Sequence, residues 1–358
     1  MSERVRVLVV DDSAYNRRTI IKMLESVPGV EVVGYACDGE EGLRKVVDLK
    51  PDLVTLDLEM PRMDGFTFLR IVMQSRPTPV IVVSARAEDA NVFRALEFGA
   101  VEFVAKPSAR ISPELFEIRD DLVRKVLTIA RTDMRKILKR SVVTDFPPAA
   151  ATPAKLTPER CVDFADEGVL QVVIGSSTGG PPALQTIFSA LREKLPVGFA
   201  IAQHMPSGFT RAFAERLNKF SPMEIREARH GDPILPGQVL IAPGGKNLLF
   251  RRRGENVYAL VDDPEPGQRY VPSVDNLFTS AAKVFGDRLL GVVLTGMGND
   301  GAKGTRALAS VGGRVLAESE ESSVVFGMPK EAIATGQVDK VLALSRMAPE
   351  ILRRCSRS

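Results

Sequence analysis

Histidine is nearly absent from this sequence: His204 and His230 are the only two in 358 residues. Cysteine is almost as scarce. Cys37, Cys161 and Cys355 are odd in number, far apart and without C-x-x-C spacing, which excludes a disulfide framework or a zinc knuckle and fits a reducing cytosol. No run approaches the ~18 consecutive apolar residues of a membrane span, so no membrane insertion is expected. The apolar run Val5–Val10 is too short for a signal-peptide core and meets Asp11-Asp12 at once, so a cytoplasmic protein is expected. The formal net charge of +3 is too small to argue for nucleic acid or an anionic membrane. What remains is ordinary globular composition, 44% hydrophobic and 26% charged, long enough for two or three domains with their own cores.

The strand signals in the first third are Val5–Val10, Glu31–Ala36, Leu53–Leu56, Val80–Val83 and Glu102–Ala105. Between them, apolar residues recur at helical spacing, as at Ile20, Met23, Leu24 and Val27. Continuous apolar strands joined by helices predict a flavodoxin-like domain with a five-stranded parallel sheet. A last helix is expected from Pro113 to Lys139, ending in Arg131, Arg135, Lys136, Lys139 and Arg140, a stretch that reads first as a solvated helix end. The periodicity stops between Ser141 and Asp166, where Pro147, Pro148, Pro153 and Pro158 mark a semi-extended linker. A second doubly wound parallel α/β pattern follows, with strand candidates Leu170–Ile174, Val197–Ala202, Val239–Ala242 and Leu289–Leu294. The expected division is therefore 1–128, a helix extension and linker over 129–167, and a second domain over 168–358.

Carboxylates gather at the strand ends of the first domain. Asp11 and Asp12 follow the first strand and Asp57 follows the third, at the carboxyl edge where such sheets place their chemistry. Alone, each could cap a helix. Together their like charges call for a divalent cation, and an incomplete oxygen shell suits Mg²⁺. Ser84 and Lys106 end the fourth and fifth strands, adding a hydroxyl and a fixed cation. A carboxylate beside Mg²⁺ and a lysine is what aspartyl phosphorylation requires.

In the second domain, Ser176 and Ser177 stand where an apolar strand turns through Thr178, Gly179 and Gly180 into a helix. Amides at a helix start can stabilise an oxyanion, although the same loop could cradle a phosphate or cap the helix. Spacing leaves both serines open, with Ser177 favoured because the amide-rich turn follows it. His204 lies just past the next strand, whereas His230 reads as loop. Asp300 lies in a glycine-rich loop after Leu289–Leu294, as an orienter for an imidazole or as the N-cap of the helix beyond Gly301. Ser, His and Asp each follow a separate parallel strand, at the edge where they could converge.

Two resemblances carry these readings further. Residues 5–125 resemble response-regulator receiver domains through VVDDS, DLEMPRMDG and the Lys106-Pro107 pair. This implies phosphoryl transfer from a histidine kinase to Asp57, with Mg²⁺ on Asp11, Asp12, Asp57 and the Glu59 carbonyl. It also implies a switch built on Ser84, Phe103 and Lys106. Residues 170–350 resemble the catalytic domain of chemotaxis protein-glutamate methylesterases through IGSSTGGP, AQHMP, IAPGG, PSVDNLF and LTGMGNDGA. This implies a Ser177–His204–Asp300 triad and an oxyanion hole from the Thr178 and Met297 amides, with no cofactor in that domain. The substrate implied is a methylated glutamate, or certain glutamines, on cytoplasmic chemoreceptor helices, with a chemotaxis kinase as phosphodonor. The resemblance further implies that the unphosphorylated receiver shields the esterase. Many relatives carry histidine where this chain has Asn247, an amide that can position substrate but cannot act as base.

Two other classes fit less well. A transcriptional regulator needs a helix-turn-helix and a basic recognition face, and neither is evident from 168 to 350. A nucleotide-binding module on Ser176–Gly180 lacks a Walker lysine and leaves His204 and Asp300 without a role. The run Arg251–Arg253 before Gly254 reads as a solvated hairpin turn.

Overall fold

Five parallel strands in the order β2-β1-β3-β4-β5 make the N-terminal sheet of the computed structural model, which describes residues 4–84, 90–106, 113–130, 132, 134 and 169–355. They are β1 (Val5–Val10), β2 (Val30–Ala36), β3 (Leu53–Leu56), β4 (Val80–Ser84) and β5 (Glu102–Ala105). The helices between and after them are α1 (Ala14–Glu25), α2 (Gly39–Leu49), α3 (Gly65–Ser75), α4 (Ala90–Glu97) and α5 (Pro113–Ile129). The central strands are buried throughout, as a sheet covered on both faces requires. Ser13, Asp38 and Asp64 each accept a backbone N–H three residues on, so short polar side chains start α1, α2 and α3.

The second unit is a seven-stranded parallel sheet in the order β14-β13-β12-β6-β7-β9-β8. Its strands are β6 (Gln171–Ser176), β7 (Gly198–Gln203), β8 (Glu224–Glu227), β9 (Gln238–Ile241), β12 (Leu289–Val293), β13 (Arg314–Glu318) and β14 (Lys340–Leu342). An antiparallel hairpin, β10 (Asn247–Arg253) and β11 (Asn256–Asp262), is inserted between β9 and β12. The helices are α6 (Gly180–Ala190), α7 (Phe209–Asn218), α8 (Val274–Phe285), α9 (Ala302–Ser310), α10 (Met328–Ala334) and α11 (Leu344–Cys355). The strand order runs outward from β6 both ways, through β7 and through β12, so a switch point opens at their carboxyl ends.

The expected strands are all present, three with the expected bounds and the others with ends displaced by at most two residues. The largest displacement has a cause: β6 continues through Gly175 and Ser176 because Ser176 still pairs with Gln203 across the ladder. Arg251–Arg253 do not form the turn; they are the exposed last residues of β10, and Gly254-Glu255 makes the turn at a left-handed φ of 59°. The linker expected over Ser141–Asp166, and Arg131, Arg135, Lys136, Lys139, Arg140 and Pro107, lie outside the described residues. Among the described residues, no helix is long and apolar enough to cross a membrane.

Candidate active sites at two sheet edges

At the first edge, ligand oxygens of Asp11, Asp12 and Asp57 lie within 4.8 Å of one another. Asp11 and Asp57 are buried and Asp12 is exposed. Lys106 places Nζ 2.5 Å from Asp57 Oδ2 and 3.7 Å from Asp11 Oδ2. Asp57 Oδ1 accepts the Glu59 N–H at 3.2 Å. Asp11 Oδ1 accepts the Ser13 N–H at 2.8 Å, while its Oδ2 is buried with no hydrogen-bond donor. Burial drives the Asp11 carboxyl up to about 6, with Lys106 pulling down and Asp57 pushing up. Burial likewise raises Asp57 above the ordinary carboxylate range, against its hydrogen bond from Lys106. A buried oxygen without a donor, beside two more carboxylates, fits a hard divalent cation.

Ser84, the last residue of β4, is buried, and its carbonyl accepts the Lys106 N–H at 2.7 Å. Phe103 lies one strand over in β5, buried, with its ring edge-on to Phe93 at 6.1 Å. The Phe103 carbonyl takes a hydrogen bond from Lys125 Nζ at 2.7 Å. Ser84 and Lys106 thus stand at the ends of β4 and β5 on the edge that holds Asp57, with Phe103 inside β5.

At the second edge, the two adjacent serines part company. Ser176 is 0% exposed and donates its hydroxyl to Gln203 Oε1 at 2.6 Å. Ser177, half-buried, begins the turn into α6; its N–H reaches the Thr295 carbonyl at 3.0 Å and its own carbonyl accepts from Gly180 at 2.7 Å. Its hydroxyl makes no hydrogen bond to His204. Gly296 packs directly on it: a Cβ there would lie 2.8 Å from Ser177 Cβ and 2.3 Å from Met328 Sδ, so only glycine lets the two loops approach.

His204 follows β7, with its N–H on the Ser176 carbonyl at 3.0 Å. Its Nε2 lies 2.8 Å from Asp300 Oδ2, and its ring stacks on Tyr270 at 5.2 Å with 6° between planes. An ionised carboxylate only accepts, so Nε2 carries the proton and Nδ1 is left with the lone pair.

Asp300 is 2% exposed, yet both its oxygens are fully engaged. Oδ2 also accepts the Val274 N–H at 2.7 Å, and Oδ1 accepts the Asp275 N–H at 2.8 Å and the Ser273 hydroxyl at 3.2 Å. Burial pushes its pKa up, but the hydrogen bond and charge of His204, with the Asp275 and Val274 amides, outweigh this and hold it below the ordinary value. The carboxylate therefore sits at the N-terminus of α8 rather than capping its own helix. Asp275 returns the arrangement, accepting the Gly301 and Gly304 N–H groups at 2.9 and 2.6 Å at the start of α9. Burial raises the Asp275 pKa; the Gly304 amide opposes this and the Asp300 charge adds to it.

Thr178 is buried and Met297 half-buried, on loops tied together by one hydroxyl. Thr295 Oγ1 donates to the Thr178 carbonyl at 2.9 Å and accepts the Val325 N–H at 3.0 Å, while the Thr295 N–H donates to the buried Glu318 carboxylate at 2.8 Å. A cavity of about 310 Å³ adjoins the site, lined among others by Gln268, Tyr270, Asn276, Asp300 and Lys303. Asn247 is buried beside it, in a reciprocal amide pair with Gln268 at 2.9 and 3.0 Å, and it accepts the Ser273 N–H at 3.0 Å. His230 is exposed, with Nδ1 3.2 Å from the Val261 carbonyl and no bond to the other site residues.

Sequence reasoning missed Gln203, Tyr270, Asp275 and Thr295. Gln203 and Thr295 were visible only as neighbours of His204 and Gly296. Tyr270 lies in an irregular strap with no periodic signal, and Asp275 carries only the signal of an acid in a helix's first turn.

The chain matches the family described as CheB methylesterase over residues 172–351, and the response regulator receiver domain over residues 7–114. It is 58% identical to protein-glutamate methylesterase/protein-glutamine glutaminase 3 of Geobacter sulfurreducens, across 98% of each chain. It is 48% identical to protein-glutamate methylesterase/protein-glutamine glutaminase 1 of Myxococcus xanthus, across 97% of this chain and 96% of that one. The crystal structure of the Thermotoga maritima CheB methylesterase catalytic domain is similar at a TM-score of 0.51 and 38% identity, covering 52% of this chain and 99% of that one.

Proposed function

Because the chain belongs to the CheB methylesterase family, with a response regulator receiver ahead of the catalytic unit, we propose the following assignment of its sites. The protein is a chemotaxis protein-glutamate methylesterase/protein-glutamine glutaminase under response-regulator control. Ser177 is the nucleophile, His204 the base and Asp300 its orienter. The observation that carries this is the His204 Nε2–Asp300 Oδ2 bond of 2.8 Å, just past the end of β7, with Ser177 just past the end of the neighbouring β6. With Nε2–H committed to Asp300, Nδ1 takes the Ser177 proton as Oγ attacks the γ-carbonyl carbon of a glutamyl methyl ester. The oxyanion rests on the Thr178 and Met297 N–H groups. Collapse breaks the C–OMe bond, and methanol leaves with the proton from Nδ1. Water then attacks the acyl-serine, Nδ1 takes its proton, and Ser177 is restored as the glutamate carboxylate departs. With glutamine, ammonia is the leaving group. Asp300 stays ionised and stabilises the imidazolium between steps.

In the receiver, taken as 1–128 and joined through 129–167 to the catalytic unit 168–358, Asp57 accepts the phosphoryl group of a chemotaxis histidine kinase. Asp11, Asp12, Asp57 and the Glu59 carbonyl would hold Mg²⁺, which supplies charge neutralisation at the phosphoryl oxygens. Lys106 pairs with a phosphate oxygen, and Ser84 and Phe103 relay its arrival. The substrate is the methylated cytoplasmic helices of a chemoreceptor, which places the enzyme in the cytoplasm.

Methanol release from methylated receptor membranes, with and without a small phosphodonor, tests the reading. Ser177→Ala should lower turnover by roughly three to six orders of magnitude, and Ser176→Ala far less. An active Ser177→Ala beside a dead Ser176→Ala would reverse the assignment.

A further inference from the structure

Gln203, the last residue of β7, is 1% exposed, and its carboxamide reaches three partners. Oε1 accepts the Ser176 hydroxyl at 2.6 Å. Nε2 donates to the Ser177 carbonyl at 3.0 Å and to the His204 carbonyl at 3.0 Å. Carbonyl oxygens only accept, so the amide can face only this way, and both its N–H groups are committed. Room for it exists because residue 180 has no side chain: a Cβ on Gly180 would lie 2.0 Å from Gln203 Oε1. The β6–β7 register ends at the Ser176–Gln203 pair, after which one chain turns into α6 and the other enters a loop. The two residues immediately beyond the pair are Ser177 and His204. One buried amide therefore bridges their carbonyls just past the last ladder bond, the His204 N–H on the Ser176 carbonyl at 3.0 Å.

We propose that Gln203 is a positioning residue that sets the Ser177 Oγ to His204 Nδ1 geometry. The proposal rests on the triad reading above. A misplacement of about 1 Å between reacting groups costs on the order of 100-fold in rate without weakening substrate binding. Removing a group that merely satisfied buried polar atoms would lower stability and leave kcat of the folded enzyme intact.

The test uses the full-length chain, with kcat and KM for methyl ester hydrolysis measured well below each variant's melting temperature. Gln203→Met keeps the length and removes every hydrogen bond; Gln203→Glu keeps an acceptor for Ser176 but, ionised, cannot donate to either carbonyl. Both should lose about 30- to 100-fold in kcat with KM within about two-fold of wild type. Ser176→Ala removes only the bond to Oε1 and should lose about three- to ten-fold in kcat at constant KM. Should the Gln203 variants fail to fold, Ser176→Ala decides, and an unchanged kcat there overturns the proposal. A folded Gln203→Met with more than half the wild-type kcat also overturns it, and an inactive Ser177→Ala beside it would leave the triad standing. An active Ser177→Ala would remove the triad reading itself.

Discussion

Asp300→Asn changes one atom and tests more of the site than any deletion. The carboxylate accepts four hydrogen bonds, two on each oxygen, including a backbone N–H at 2.7 Å on Oδ2 and another at 2.8 Å on Oδ1. An asparagine amide must place its NH₂ at one of these positions, so a donor faces a donor whichever way it turns. A buried group left unsatisfied costs about 1–3 kcal/mol, and each kcal/mol lowers the melting point of a domain this size by roughly 2–4 °C. Loss of the charge also leaves His204 in either tautomer with nothing to stabilise its protonated form. In a serine-protease triad this costs on the order of 10⁴ in kcat, or about 5.4 kcal/mol at about 1.36 kcal/mol per factor of ten. The pKa of Asp300 is depressed in the fold, so its charged form contributes stability that is present above the ordinary 3.8 and lost as pH falls through the folded value. The melting-point gap between wild type and Asp300→Asn should therefore be widest near neutral pH and narrow below about pH 4. Methanol-release kinetics and calorimetry across pH read both quantities. A variant that keeps a tenth of wild-type kcat, or a gap that widens in acid, would refute this account of Asp300.

Three further outcomes follow from the same contacts. Activity should fall in acid because His204 must be neutral to take a proton, and His230→Ala should leave that limb in place; its disappearance in that variant would move the base to His230. Asp57→Asn should abolish stimulation of the full-length enzyme by a phosphodonor while leaving the basal rate, and persistent stimulation would remove Asp57 as the acceptor. Mg²⁺ affinity should weaken as pH falls through the Asp11 value of about 6, since a protonated carboxyl gives up its ligand oxygen; a pH-independent affinity from pH 8 to 5 by titration calorimetry would place the ion elsewhere.

The first sheet and strands β6, β7, β9 and β12 of the second were legible in the sequence because buried parallel strands are continuous apolar runs, and β1, β3 and β5 lie where Val5–Val10, Leu53–Leu56 and Glu102–Ala105 put them. The chemistry was legible for a related reason: a parallel sheet brings residues just past its strands to one edge, whatever their separation in sequence. Spacing could not decide between Ser176 and Ser177. What favours Ser177 in the proposed assignment is a ladder pair that carries β6 two residues past Ile174 and spends the Ser176 hydroxyl on Gln203, a contact 27 residues away in the chain.

The role of Asp300 was the hardest to read, because its local signal pointed to the wrong helix. A short acid in a glycine-rich loop before a helix is a standard N-cap pattern. Here α9 is capped by Asp275, from the first turn of α8, and Asp300 is received by α8 in exchange. Each helix start supplies amides to the other's carboxylate, beside the Ser273 hydroxyl that caps α8 from its own sequence. That exchange has a catalytic consequence. The hydrogen bond and charge of His204, together with the Asp275 and Val274 amides, keep Asp300 ionised despite burial, and the amides hold the carboxylate where Oδ2 meets His204 Nε2. The carboxylate proposed as orienter is thus held by hydrogen bonds at the start of α8 as well as by its own loop. Asp275→Ala should accordingly reach the imidazole through Asp300, lowering kcat and melting temperature together although Asp275 makes no hydrogen bond to His204. A variant that melted earlier but turned over at the wild-type rate would show that the loop holds Asp300 unaided.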